Sequence, residues 1–89
     1  MQITILGKRW ELKITSHLSR DCRGECEPPD SPRKEIRIRK SLKGREFLEI
    51  TLHEILHAAD WSKDEEWIEQ VADDISKVLW KLGYRRNLD

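Results

Sequence analysis

The chain has 89 residues, 37% of them apolar and 38% charged. That describes one domain, residues 1–89, with a thin core and no room for a second. The net charge is zero but uneven: residues 1–45 carry 12 Lys/Arg against 6 Asp/Glu, and residues 46–89 carry 5 against 11. The simplest reading is that the two halves neutralise each other or face water. No run approaches the ~20 apolar residues of a membrane span, and no signal peptide is visible, so a soluble, cytoplasmic protein is expected. Cys22 and Cys26 would then be reduced thiols.

Taken in order, "QITILGKRWELKIT" reads as two strands. Ile3 and Ile5 alternate with polar residues, as do Trp10, Leu12 and Ile14, with "GKR" as the turn between them. Residues 16–33 lack periodicity and contain Pro28, Pro29, Pro32 and Gly24, which predicts a long loop. "KEIRIRK" is a third strand, with Ile36 and Ile38 on one face and Arg37 and Arg39 on the other. After Gly44 the period becomes helical. Leu48, Thr51, Leu52, Ile55 and Ala59 form one stripe that ends near Asp60. "SKDE" reads as a capping box, Ser62 capping and Glu65 reaching back. The second helix carries Ile68, Val71, Ala72, Ile75, Leu79 and Leu82 on its buried stripe and stops at Gly83. The expected fold is α+β: a three-stranded, mainly antiparallel sheet followed by two antiparallel helices, β-β-β-α-α. The four Trp are expected to supply much of the buried apolar area.

Two of the three His lie in "TLHEILHAADW", as His53 and His57. On a helix, residues four apart share a face one turn apart, so both imidazoles can reach one zinc ion. The Glu54 between them is rotated about 100° from His53, beside the metal rather than on it. It is placed to act as general base on a zinc-activated water, which is the mechanism the HExxH spacing encodes.

The third ligand must come from elsewhere. Asp60 lies about 10 Å along the helix from His53, too far to converge with it. On the next helix, Glu66 points away from the stripe centred on Ile68, whereas Glu65 and Glu69 flank it. Glu65 is assigned to the capping box. Glu69 is followed one turn later by Asp73, placed to hydrogen-bond a ligand His. Glu69 is therefore preferred, with Glu65 as the alternative.

"LEITLHEILHAADW" and "DEEWIEQVADDISKVLWKLGYR" resemble the small phage-encoded zincin-like metallopeptidases, minimal relatives of the ImmA/IrrE-type peptidases. The HExxH portion is specific. A looser likeness takes in the Trp-bearing hairpin, the Gly/Cys/Pro loop and the strand. The resemblance implies a gluzincin-like metallopeptidase acting on peptides or proteins in the cytoplasm, the host's if the chain is phage-encoded. In the larger relatives a Glu three residues before an Ala, followed by Asn or Asp, completes the zinc site. Glu69, Ala72 and Asp73 match that pattern. Only eleven residues separate His57 from Glu69, fewer than in the larger relatives, which implies a reduced cleft.

Other residues carry less. Cys26 lies upstream of HExxH, where deformylases keep a Cys ligand, but the glycine-rich signature expected there is missing. His17 and Tyr84 are candidate donors to an oxyanion. "RKEIRIRKSLKGR" is basic but lacks aromatics to stack on bases, so no nucleic-acid partner is expected. The sequence leaves the oligomeric state open. The expected function is zinc-dependent peptide hydrolysis. The alternative is a small binding or regulatory module with structural zinc, closed by a fourth protein ligand such as Cys26. The "EIRIR" strand is expected at the cleft's edge, available to an extended substrate.

Overall fold

Alternating residues form an antiparallel hairpin, β1 (Gln2–Ile5) and β2 (Lys8–Thr15), in the computed structural model, which describes residues 1–86. The turn is Leu6–Gly7, both at positive φ, so Lys8 and Arg9 belong to β2 rather than to the turn. The remaining elements are β3 (Gly24–Cys26), β4 (Glu35–Arg39), α1 (Gly44–Ala59) and α2 (Glu65–Lys81).

The class is α+β, as expected, but the sheet has four strands in the order β1-β2-β4-β3. The predicted loop contains β3, which pairs antiparallel with β4, while β2 and β4 run parallel. The reason is topological. Parallel neighbours need a crossover of a dozen or more residues, and residues 16–34 supply one that also contributes an outer strand. β4 is therefore interior, and the strand left at the edge beside α1 is β3. That corrects the expectation that "EIRIR" forms an open edge.

The pleat sorts the strands' side chains into two faces. Ile36 and Ile38 are fully buried on the helix side, with Trp10 beside them and Leu12 partly buried against them. On the outer face Arg37 bonds three carboxylates, those of Glu25, Glu27 and Glu35, at 2.8–3.1 Å. Lys13 and Arg33 also reach Glu35, each at 3.1 Å. Of the four Trp only Trp10 is buried; Trp61 and Trp67 are exposed.

α1 buries Ile50, Glu54 and Ala58, and α2 buries Ile68, Ala72 and Ser76. Ser76 replaces the expected Ile75 at the interface. It can do so because its hydroxyl accepts from Arg45 Nη1 and donates to the Asp73 carbonyl, leaving no buried polar atom unpaired. Ile75 and Leu82 are exposed instead. The N-cap of α2 is Asp64, whose carboxylate accepts from the Trp67 amide at 2.8 Å, not Ser62. Gly83 ends the helix as predicted. At φ 93 it completes a Schellman motif, with Tyr84 N donating to Leu79 O and Gly83 N to Trp80 O. Among the described residues, no helix is long and apolar enough to cross a membrane.

Candidate metal centre

The short turn between α1 and α2 brings the first residue of α2 back beside the last turns of α1. Because Asp64 caps the helix, Glu65 is released from the capping role the sequence suggested. Its side chain reaches both imidazoles: Oε1 lies 2.7 Å from His53 Nε2, and Oε2 lies 2.9 Å from His57 Nε2. The two Nε2 atoms are 3.2 Å apart. His53, His57 and Glu65 are the one group of potential metal donors that converges among the described residues.

Proton counting makes this triangle informative. If each imidazole donates to the carboxylate, the Nε2–Nε2 contact sets two donors against each other. If one imidazole donates to the other, the acceptor nitrogen confronts a carboxylate oxygen. With Glu65 ionised, no placement of protons turns all three contacts into hydrogen bonds. A cation among three lone pairs satisfies them all. The donor chemistry, two imidazoles and a carboxylate, suits zinc, and ligand atoms ~2.0–2.1 Å from a tetrahedral zinc lie about 3.3 Å apart. The Nε2–Nε2 separation matches that spacing, the two carboxylate contacts are at hydrogen-bond distance, and the donor set suits that ion.

Glu69 does not join the group. It sits one turn further along α2, exposed, lining a neighbouring cavity with Arg23 and Glu49. Asp73 does not hold a His either. Two turns beyond Glu65, it lies beside the start of α1, where its carboxylate accepts from Lys77 at 2.7 Å and Arg45 at 3.2 Å. Lys77 first, then Arg45, outweigh burial and hold its pKa below the ordinary carboxylate value. The antiparallel helices explain the miss, because moving along α2 from Glu65 moves back along α1, away from His53. Glu66 is exposed, as its position on the helix predicts.

Glu54 is buried in the same cleft. Burial first, then the Glu65 and Glu25 carboxylates, push it up to about 7. β3 packs directly over it. A Cβ built on Gly24 would lie 2.9 Å from Glu54 Cγ and 2.8 Å from Ile50 Cγ2. Gly24 thus lets the edge strand close onto α1 and confines the Glu54 side chain. In the sequence this role shows only as a glycine within the predicted loop.

The cleft has a volume of about 420 Å³. Beyond the triad and Glu54, its walls include Gly24, Cys26, Trp61 and Lys63. The Trp61 ring lies 5.9 Å from that of His57. Cys26 is near the His pair but is not in the converging group; its Sγ donates to the Glu27 carbonyl. Burial, then the Glu54 and Glu27 carboxylates, push its thiol up to about 12 in the metal-free protein. Cys22 is half-buried, and its carbonyl accepts from Arg39 Nε at 2.6 Å. His17 is exposed on the loop, and Tyr84 lines a separate cavity with Phe47 and Trp80.

Compared with known proteins, the chain matches no family model, no curated protein and no solved structure.

Proposed function

We propose that the chain is a zinc-dependent metallopeptidase of gluzincin-like type, in line with the resemblance of its HExxH helix. The observation that carries this reading is the convergence of His53, His57 and Glu65, a triangle that no proton arrangement satisfies while Glu65 is ionised, beside the buried carboxyl of Glu54. His53 and His57 would hold zinc with Glu65 as third ligand, in place of Glu69. When bound, zinc supplies a Lewis acid and lowers the pKa of water at the site.

Glu54 moves the protons. It accepts one from the attacking water as the new C–O bond forms, and returns it to the leaving amine as the C–N bond breaks. Gly24 and Ile50 confine Glu54 against the cleft. The edge of β3, not β4, is the backbone on which an extended peptide can add as a further strand. The rival reading, a structural zinc closed by Cys26, is weakened by the place of Cys26 outside the converging group and by its bond to Glu27.

Glu54→Gln keeps the side chain's size and removes the base. With zinc occupancy verified in both proteins, cleavage of a degenerate peptide library should fall about 10²–10⁴-fold, with circular dichroism unchanged. Equal rates would remove Glu54 from the mechanism. Stoichiometric zinc with no cleavage by either protein would favour the binding module.

A further inference from the structure

The second helix has an apolar stripe that the core does not use. Trp67, Ile75, Val78 and Leu82 are exposed, Val78 at 56% and Leu82 at 68%, and half-buried Val71 continues the line. Their spacings of four, four, three and four residues keep them within about 80° of the helix circumference. The stripe lies to one side of Ala72 and Ser76, which face α1, and away from Glu65, which faces the two His. Charge along the same helix is divided. Asp64 caps it and Glu65, Glu66, Glu69, Asp73 and Asp74 lie in its first ten residues, outnumbering Lys63, which sits just before them over the Trp67 ring; Lys77, Lys81, Arg85 and Arg86 occupy its end and the residues just after.

We propose that this stripe binds a second copy of the chain, α2 against α2 and antiparallel, about a twofold axis near Ile75. The divided charge selects that occupant and that direction. Antiparallel pairing sets each acidic half against the other copy's basic half, whereas parallel pairing sets like against like. The apolar residues are self-complementary in the same register. Trp67 meets Leu82, Val71 meets Val78, and Ile75 meets itself, as an isologous interface requires. On the flank, Asp74 falls opposite Lys77 of the other copy, twice by symmetry. The metal cluster, on another face of α2, stays open in the dimer.

Sedimentation equilibrium over roughly 1 μM to 1 mM tests this on the full chain. Wild type should show a reversible monomer–dimer equilibrium. Val78→Glu buries a charge at the interface in both copies and should raise the dissociation constant at least ~100-fold, with circular dichroism unchanged because Val78 is already exposed. Charge reversal reads the direction. Asp74→Lys alone should weaken association several-fold, and Asp74→Lys with Lys77→Asp should restore it. In a parallel dimer residue 74 would face its own copy, so the single reversal would change little. A wild type that is monomeric throughout overturns the proposal. So does a dimer that Val78→Glu or Asp74→Lys leaves intact.

Discussion

Two glutamates buried almost equally, Glu35 and Glu54, are driven in opposite directions by their surroundings. Burial works to raise both. At Glu35 the Arg37, Lys13 and Arg33 cations outweigh it and hold the carboxyl at about 2. At Glu54 the neighbours are carboxylates, and the value climbs to about 7. The outer sheet face is thus a matched ion network, complete within the chain. The cleft gathers Glu54, Glu65 and two imidazoles, and among the described residues no cation is paired with Glu54. Matched buried charge serves the fold, whereas unmatched buried charge needs a partner from outside. Each test below removes one side of that contrast.

The largest effect should follow loss of the carboxylate that closes the triangle. Glu65→Gln should lower zinc affinity on the order of 1,000-fold, since even groups that only support a ligand cost 10–100-fold. Glu69→Gln, one turn away, should change it no more than a few-fold. Competition with a fluorescent chelator measures both. If Glu69→Gln empties the site and Glu65→Gln does not, the contrast between cleft and network is misassigned.

Next is the network itself. Arg37→Met keeps the buried stem but strands Glu35. Removing one partner of a buried pair costs about 3–5 kcal/mol, and Lys13 and Arg33 still reach Glu35, so a loss of about 2–3 kcal/mol is expected. Urea unfolding of the metal-free protein reads this, and zinc affinity should stay unchanged. A loss below about 0.5 kcal/mol would mean that the network is surface decoration.

What the sequence disclosed followed the range of the forces involved. The HExxH helix, the two imidazoles on one face, Glu54 behind them and the Gly83 stop are written within a few residues of one another, and the structure brings those residues together. β3 was hidden because three residues among prolines and cysteines become a strand only by pairing with β4, whose partner residues lie further along the chain. The parallel pairing of β2 with β4 was hidden for the same reason. That Glu65 rather than Glu69 lies beside the two imidazoles turns on a smaller feature. Moving the cap from Ser62 to Asp64 frees Glu65, and a cap is decided by which amide a carboxylate actually meets. Asp73 was misplaced because Arg45, its partner, lies on another helix. Ser76 could not be foreseen at the interface without Arg45 to satisfy it.

The smallest effect is a difference in pH dependence, and its sign separates the two glutamates. In the unfolded chain both carboxyls titrate near the ordinary 4.5. Folded Glu35 stays ionised down to about 2. The unfolded state therefore binds more protons between those values. The stability Glu35 contributes is complete above pH 4.5 and is lost as pH falls toward 2. Folded, metal-free Glu54 keeps its proton up to about 7, so there the folded state binds more protons. Its burial costs nothing below pH 4.5 and destabilises increasingly as pH rises from 4.5 through 7. Urea midpoints measured in chelator from pH 3 to 8 should accordingly rise and then fall. Glu35→Gln should flatten the acid limb and Glu54→Gln the limb between 4.5 and 7. The diagnostic quantity is the difference between wild type and Glu54→Gln. A wild-type midpoint that gains on Glu54→Gln as pH rises to 7 would show that Glu54 has a cationic partner after all.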